Sequence, residues 1–239
     1  MTASGRDWRD AGSGKAGALI GFLKAGGRSL PAIRIETGRS YLRPPQARDW
    51  AAWATLREES RAFLTPWEPT WPADALGKAA FMRRLKRQTG EWRRDEGYSL
   101  LLFDRQTDRL QGGIGFSNVR RGVAQMASVG YWVGERFAGA GLMTEALRAA
   151  AGFAFTQLGF HRIEAVCLPT NERSKRLLAR TGFMQEGYAR AYLRIDGAWQ
   201  DHLMFGLLRR DFERAGQAVA EAGTVTGPPE ELHAKVTGG

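Results

Sequence analysis

The sequence predicts a single-domain α/β fold in which a mostly antiparallel, twisted sheet is flanked by helices. Three β-like runs rich in Val, Tyr and Trp follow one another between residues 98 and 133. A helix pattern, a short apolar strand, a second helix pattern and a final hairpin come after them. The chain has 239 residues with 43% hydrophobic content, which is enough for one hydrophobic core of ordinary size.

The first half of the predicted domain starts with a short strand at residues 41–43. A helix pattern over residues 46–61 places tryptophans and a leucine on one side. Residues 63–72 contain three prolines, which excludes a helix interior and predicts an ordered aromatic loop. A second helix is predicted over residues 73–88. Three strands follow, at residues 98–103, 113–118 and 128–133.

The second half begins with a strong helix pattern over residues 142–158, where apolar residues recur at a spacing of four. A short buried strand is predicted at residues 162–167. An amphipathic helix over residues 171–180 ends before Gly182, the residue type that favours a helix C-terminus. Two final strands, at residues 184–195 and 199–207, flank the hairpin turn Asp196-Gly197.

The ends of the chain differ in composition from this domain, which we place at residues 41–213. Residues 1–40 are glycine-rich and basic, so we expect a mobile N-terminal extension. Residues 214–239 hold few large apolar residues, so we expect a helix end followed by a flexible tail.

Composition excludes several classes of protein. Lys and Arg outnumber Asp and Glu by 35 to 25, so the net charge is +10 and a partner rich in negative charge is expected. Cys167 is the only cysteine, which excludes an intramolecular disulfide and a Cys-based zinc site. The three histidines lack metal-ligand spacing, and no metal site is expected. No apolar stretch is long enough to cross a membrane, and we expect a cytoplasmic protein.

A glycine-rich turn, Arg136-Phe137-Ala138-Gly139-Ala140-Gly141, lies between a predicted strand and a predicted helix. Its glycines let a ligand approach the main chain. Unpaired N–H groups at the helix start, together with the positive end of the helix dipole, favour binding of a pyrophosphate. A purely structural turn is equally consistent with the glycines alone.

This turn resembles the acetyl-coenzyme A signature of the GNAT acetyltransferase superfamily: Arg or Gln, two residues, Gly, any residue, then Gly or Ala. The second signature of that family, an Asn that opens a short helix ending in Gly-Phe, is matched by Asn171 and Gly182-Phe183. The resemblance narrows to ribosomal-protein alanine N-acetyltransferases of the RimJ class and covers roughly residues 41–212. The segments that carry it are residues 63–69, 115–119, 141–147, 171–174 and 192–202.

The resemblance implies a GNAT-type fold and direct transfer of acetyl from acetyl-CoA, as co-substrate, to the N-terminal α-amine of a protein in a ternary complex. The expected substrate is the N-terminal alanine of small-subunit ribosomal protein five, with ribosomal RNA or the assembling small subunit as further partners. Coenzyme contacts are implied for Val133, Arg136, Ala138, Gly139, Ala140, Gly141, Leu142, Met143, Thr144 and Asn171.

The implied catalytic acid is Ser174, because Leu178 stands where many family members carry a tyrosine. Its alternative interpretation is an exposed serine in a first helical turn. The penultimate strand lacks the carboxylate that a related subgroup uses as a base. Glu68 is therefore the candidate for holding the substrate ammonium or relaying its proton, and a surface glutamate is equally consistent. Trp67, Tyr188 and Tyr192 are expected to line the peptide groove.

Two other functions stay open at this point. A ribosome-assembly factor could bind RNA through the basic extension and a basic helix while contributing little catalysis. An acetyltransferase for a small amine would need an acidic pocket. The basic helix residues, which also fit a solvated helix face, are Arg83, Arg84, Lys86, Arg87, Arg93 and Arg94, interleaved with Trp92.

Overall fold

The computed structural model describes residues 33–222, with side chains up to residue 215. Its strands are β1 Ile35–Glu36, β2 Ser40–Arg43, β3 Tyr98–Asp104, β4 Leu110–Arg120, β5 Met126–Val133, β6 Arg162–Cys167, β7 Met184–Ile195 and β8 Ala198–Leu208. Its helices are α1 Trp50–Glu59, α2 Arg61–Leu64, α3 Lys78–Arg94, α4 Leu142–Thr156, α5 Glu172–Arg180 and α6 Arg209–Ala222.

Within these residues the strands form one sheet in the order β1-β2-β3-β4-β5-β6-β8-β7. Every neighbouring pair is antiparallel except β5 and β6, which run parallel. The predicted mostly antiparallel α/β sheet is therefore confirmed. The parallel pair arises because α4 carries the chain from the end of β5 back to the start of β6.

Apolar side chains cover both faces of the sheet, and β3 shows why. Alternate residues of a strand point to opposite faces. Leu100 and Leu102 accordingly join the larger core, which packs beneath α4 and α5 and which we call the α4–α5 face. Leu101 and Phe103 join a second core with residues of α1 and α3, the α1–α3 face. The continuous apolar run of β3 is thus explained by burial on both sides.

The hairpin between β7 and β8 forms as its turn residues predict. Asp196 and Gly197 both have positive φ, 44° and 80°, the combination that a two-residue turn between twisted strands requires. The other predicted turn residue, Gly182, has φ 89° directly after α5. Both turns depend on residues that adopt the left-handed region at low cost.

The boundaries of the domain differ from the prediction at both ends. Residues 35–36 form a strand on β2, so the sheet starts before residue 41. Residues 1–32 of the predicted extension lie outside the described residues. At the other end, α6 continues through Ala222, beyond the predicted domain boundary at residue 213 but within the region where a helix end was expected, and residues 223–239 lie outside the described part of the chain.

The two helices of the first half also differ from the prediction. The pattern over residues 46–61 is interrupted at Ser60, which separates α1 from α2. The helix expected at residue 73 starts at Lys78, because the preceding segment closes turns from Ala75 N–H to Pro72 and from Gly77 N–H to Asp74. Gly77 is extended and Asp95 is left-handed, and these conformations set the two ends of α3.

No helix among residues 33–222 is long and apolar enough to cross a membrane. The same residues contain no group of three or more His, Cys, Asp or Glu side chains that could hold a metal ion. His161 is exposed and His202 is buried, whereas His233 lies outside the described range.

Candidate active site

The central feature of the sheet is the separation of β5 from β6, which we call the splay. The two strands pair only at Met126–Arg162, Ala127–Ile163 and Ser128–Glu164. Beyond these pairs β5 continues to Val133 along β4, and β6 continues to Cys167 along β8. The facing edges of the two strands therefore bound an opening in the sheet. Val133, the predicted main-chain contact, lies half-buried at the end of this open edge.

The glycine-rich turn leaves the sheet at the open end of the splay. Gly139 and Gly141 have φ of 80° and 79°, a region that other residues rarely adopt. Gly141 caps α4, and its carbonyl accepts the N–H of Thr144 at 3.0 Å. The N–H groups of Leu142 and Met143 precede this first helical hydrogen bond. Since both side chains are buried, only the main chain of these two residues is available to a ligand.

The turn has the properties that a diphosphate requires. Residues 139–141 are exposed, and no atom lies within 4 Å of a Cβ built on Gly139. The N-terminus of the fifteen-residue helix α4 directs main-chain donors and the positive end of its dipole to the same place. The residues present therefore fit the diphosphate of acetyl-CoA, and the predicted turn lies where the resemblance requires it.

Arg136 lies on the outer side of this turn. Its guanidinium is exposed, pairs with Glu59 at 3.1 Å, and packs over the Phe137 ring. A cavity of about 270 Å³ opens here, lined by Glu59, Ser60, Glu135 and Arg136. The Ser60 hydroxyl joins two of the segments that line this cavity, because it accepts the N–H of Glu135 at 3.0 Å.

An arginine outside the predicted domain braces the glycine-rich turn. Arg39 Nη2 donates to the carbonyl of Ala140 at 2.7 Å and to Glu145 at 2.6 Å, and Arg39 Nε donates to the same carboxylate. The bend between β1 and β2 is thereby tied to the start of α4. The sequence analysis missed Arg39 because it was assigned to the mobile extension.

The predicted acid Ser174 is buried on the third residue of α5. Asn171 caps this helix, and its Oδ1 accepts the Ser174 N–H at 3.0 Å. Ser174 Oγ lies 2.7 Å from the hydroxyl of Tyr131, a residue in the splayed part of β5. The interpretation of Ser174 as an exposed helix serine is wrong, since its side chain faces the splay and not solvent.

The only cysteine of the chain lies next to this pair. Cys167 ends β6, is buried, and carries a free thiol. Burial raises the pKa of this thiol, and a hydrogen bond from Ser174 opposes the rise. Burial also raises the pKa of the Tyr131 phenol above its ordinary value. Both groups are therefore protonated at neutral pH.

On the α1–α3 face, Glu68 is part of a charged and aromatic cluster. Arg57 of α1 is buried and donates to both carboxylate oxygens of Glu68. Trp71 Nε1 donates to Glu68 at 2.8 Å. The guanidinium lies 4.3 Å from the centre of the Trp71 ring and 5.0 Å from that of Trp132, the neighbour of Tyr131 in β5. These contacts fix the loop of residues 65–72 against the sheet.

The same loop reaches the tip of the β7–β8 hairpin. Asp196 N–H donates to the main-chain carbonyl of Glu68 at 3.0 Å. Glu68 thus contacts α1 and the β7–β8 hairpin, as well as Trp71 of its own loop, through its side chain and its backbone. Its interpretation as an isolated surface glutamate is wrong.

The expected groove residues are exposed but do not form one surface. Trp67 is 37% exposed in the loop beside Glu68. Tyr188 donates to Asp201, whereas the ring of Tyr192 packs against His202 at 5.7 Å between centroids. Asp201 and His202 are adjacent in β8 and point to opposite faces. An irregularity between Ala189 and Leu193 causes this difference, which a regular alternation does not predict.

A family model described as an acetyltransferase (GNAT) domain matches residues 39–184, a segment that includes the splay, the glycine-rich turn and α5. The chain belongs to the GNAT acetyltransferase family. The implied fold and enzyme class are therefore confirmed. The match also begins at Arg39, the residue that braces the turn.

Relatives of this GNAT chain agree with the narrower resemblance. The [ribosomal protein uS5]-alanine N-acetyltransferase of Escherichia coli (strain K12) is 37% identical over 184 residues, 77% of this chain and 95% of the relative. The solved structure of Mycobacterium smegmatis RimJ with CoA-disulfide is 31% identical, with a TM-score of 0.71, and covers 77% of this chain and 89% of that one. The ribosomal-protein-S5-alanine acetyltransferase of Vibrio fischeri has the same TM-score at 27% identity, and covers 75% and 98%.

Proposed function

We propose that this GNAT enzyme transfers acetyl from acetyl-CoA to the N-terminal alanine of ribosomal protein uS5. The observation that carries the proposal is the splay, which opens beside a diphosphate-binding turn and contains a buried serine hydroxyl on its wall. The similarity to the E. coli enzyme, over 95% of that enzyme's length, supports the choice of substrate.

The chemistry divides between the two sides of the splay. Acetyl-CoA supplies an activated acyl group whose sulfur leaves as a thiolate. We propose that the turn and the start of α4 hold its diphosphate and that Asn171, at the start of α5, contacts its pantetheine arm. The Val133 main chain lies on the open edge, where its N–H could stabilise negative charge on the carbonyl oxygen. Ser174 provides the proton for the departing sulfur.

The demand on a general base is small. A protein α-amine has a pKa of about 8, so roughly a tenth of it is already neutral near pH 7. Glu68 therefore need not remove a proton to support transfer. We propose that the carboxylate, held by Arg57 and Trp71, positions the acceptor side of the splay and orients the incoming ammonium. Trp67, Tyr188 and Tyr192 are proposed peptide contacts, with the two tyrosines directed to different faces of the β7–β8 hairpin.

The proposed partner is the ribosomal protein itself, in the cytoplasm. Ribosomal RNA is the second proposed partner, through the basic side of α3. The basic side of α3 is partly neutralised, because Arg83 pairs with Asp74, Arg87 with Glu91 and Arg94 with Glu96. Trp92 is fully buried against Tyr98, so the expected interleaved aromatic cannot stack on RNA bases. These contacts give little support to an RNA-binding factor without catalysis.

The test uses the full chain, acetyl-CoA and a synthetic peptide with the alanine N-terminus of uS5. We expect a gain of about 42 Da at the α-amine (one acetyl group) by mass spectrometry, with kcat and KM following ordinary ternary-complex kinetics. A peptide of the same sequence with a blocked N-terminus and an added internal lysine is the matched control. Acetylation of the lysine instead would contradict the proposal, as would the absence of acetyl-CoA binding by calorimetry.

A further inference from the structure

The hydrogen bond between Tyr131 and Ser174 joins the two walls of the splay. Tyr131 lies three residues beyond Ser128, the last residue of β5 that pairs with β6. Ser174 lies on α5, the helix that follows β6. Their hydroxyls are 2.7 Å apart, although the strands that carry them no longer pair. This is therefore a side-chain contact across the opening where the main-chain ladder has ended.

Which of the two hydroxyls donates in this hydrogen bond determines where the Ser174 proton points. A hydroxyl has one proton to donate and two lone pairs to accept. If the Ser174 hydroxyl donated to Tyr131, its proton would be turned away from any other acceptor. If Tyr131 donates, Ser174 accepts through one lone pair, and its own proton can point into the splay or towards the neighbouring Cys167 sulfur. The Tyr131 phenol is half-buried, and its raised pKa keeps its proton in place as a donor.

Two neighbouring residues, Asn171 and Cys167, also constrain Ser174. Asn171 Oδ1 holds the Ser174 main-chain N–H at 3.0 Å, which sets the first turn of α5. The Cys167 thiol lies beside the hydroxyl at the end of β6. The backbone is thus fixed by Asn171, and the orientation of the hydroxyl about its Cβ–Oγ bond depends on its two polar neighbours, Tyr131 and Cys167.

We propose that Tyr131 is a positioning residue for the acetyl transfer: its phenol donates to Ser174 Oγ and so directs the Ser174 proton to the leaving sulfur. The inference rests on the proposed function. The sequence analysis did not identify Tyr131, because a tyrosine in a strand is typical of a core residue.

The step balances as follows. The nitrogen of the neutral α-amine forms a bond to the acetyl carbon, and the carbon–sulfur bond breaks with its electron pair going to sulfur. Ser174 Oγ gives its proton to the sulfur and accepts the Tyr131 bond more strongly as it gains negative charge. The proton released by the new amide nitrogen passes to water, from which Ser174 recovers its own. Tyr131 keeps its proton throughout.

A double-mutant cycle tests this coupling. We expect Ser174→Ala to lower kcat by about 100-fold, a typical loss for a general acid. Tyr131→Phe should lower kcat about tenfold and raise KM for acetyl-CoA much less, by about threefold, because it removes one hydrogen bond that orients the acid. In the Ser174→Ala background, Tyr131→Phe should have no further effect. Equal losses in both backgrounds would overturn the proposal.

A binding measurement provides a readout that does not depend on turnover. Coenzyme A and desulfo-coenzyme A differ only at the sulfur, so the ratio of their dissociation constants reports contacts to that atom. We expect calorimetry to show tighter binding of coenzyme A to the wild type. The preference should disappear in Ser174→Ala and fall at least about threefold in Tyr131→Phe. An undiminished preference in Tyr131→Phe would contradict the positioning role.

The matched control is Tyr98→Phe. Tyr98 is a fully buried tyrosine whose hydroxyl donates to Asp95, on β3 and away from the splay. Tyr98→Phe should lower the free energy of unfolding but leave kcat and the preference for coenzyme A over desulfo-coenzyme A unchanged. If the wild type acetylates the peptide and Tyr131→Phe has the same kcat and the same preference for coenzyme A, only the inference about Tyr131 is refuted. Wild-type protein that binds neither coenzyme would refute the proposed function as well.

Discussion

The α4–α5 face and the α1–α3 face of the sheet meet the splay with different kinds of interaction. On the first, the binding groups belong to the main chain: two left-handed glycines and the start of α4. On the second, the cluster is made by side chains of Arg57 in α1 and of Glu68 and Trp71 in the loop, packed against Trp132 of β5. A main-chain site is specified by a few consecutive residues, whereas the cluster exists only after distant segments have packed.

This contrast separates coenzyme binding from acceptor binding. Main-chain donors at a helix start recognise a phosphate whatever side chains surround them, provided that the glycines allow approach. A buried guanidinium depends on its one carboxylate partner. We therefore expect substitutions on the α1–α3 face to change stability and peptide recognition, and substitutions at the turn to change coenzyme affinity.

The largest effect is expected for Glu68→Ala. It leaves the Arg57 guanidinium buried without its partner, so the free energy of unfolding should fall by about 3 kcal/mol in urea denaturation. Glu58→Ala is the control, because Glu58 pairs with Arg61 at the exposed surface of the same region and should change stability little. Equal losses in the two variants would show that Arg57 is not held as described.

The isosteric change Glu68→Gln tests what the carboxylate does for the reaction. It keeps the shape of the side chain and an oxygen that can accept from Trp71. If Glu68 positions the acceptor, KM for the peptide should rise about tenfold with kcat nearly unchanged. A fall in kcat at an unchanged peptide KM would instead identify the carboxylate as the base.

The next largest effect is expected at the glycine-rich turn. Gly122, in the connection between β4 and β5, serves as the control for Gly139. Gly139 and Gly122 both have positive φ, and neither has an atom within 4 Å of a built Cβ. Gly139→Ala and Gly122→Ala should each lower the free energy of unfolding by about 1 kcal/mol. Only Gly139→Ala should weaken coenzyme A binding, by about tenfold in calorimetry. Weakened binding in both would remove the special role of the turn.

A smaller effect is expected for Arg39→Ala, which removes the brace from the turn without touching its glycines. The dissociation constant for coenzyme A should rise about threefold, because the exposed guanidinium contributes modestly. Arg34→Ala removes an exposed arginine directly before β1 and should leave the dissociation constant unchanged. If the two variants behave alike, the contact between Arg39 and the Ala140 carbonyl does not stabilise the turn.

The smallest effect is expected at the outer edge of the sheet, where Arg162 pairs with Glu186 of β7. The guanidinium lowers the pKa of the Glu186 carboxyl through a side-chain hydrogen bond. Its stabilising effect is thus present above the ordinary carboxyl pKa of about 4.3 and is lost as the pH falls through the lowered value. Glu186→Gln should cost under about 0.5 kcal/mol at pH 7. The difference from wild type should shrink as the pH falls below the ordinary carboxyl pKa and vanish once Glu186 is fully protonated.

The features that the sequence predicted correctly are those that neighbouring residues specify. Gly139 and Gly141 mark the turn, Asn171 caps α5, and Asp196-Gly197 closes the hairpin. Each of these has a conformational or capping preference that acts over three or four residues. The antiparallel strands were also identifiable, because hydrophobic runs separated by turn residues leave few other arrangements.

The features that the sequence did not predict depend on packing between distant segments. Tyr131 and Ser174 are 43 positions apart in the chain, and only the folded sheet brings their hydroxyls together. Arg57 lies on a helix pattern that gives no sign of a buried charge. Trp92 stands in a basic segment, yet α3 extends far enough to turn it onto Tyr98. Tertiary contacts override the local pattern in each case.

The short parallel pairing between β5 and β6 has a consequence for local unfolding. Three residue pairs join strands β1–β5 to strands β6–β8 along the main chain, so this seam has fewer main-chain pairs than any other pairing except that of the two-residue strand β1. A ligand that contacts both β5 and α5 spans the seam. Such a ligand binds only when the β5–β6 pairing is intact. Amide hydrogen exchange near the seam should therefore slow on both sides when coenzyme A binds, and the two halves of the sheet should then open as one cooperative unit.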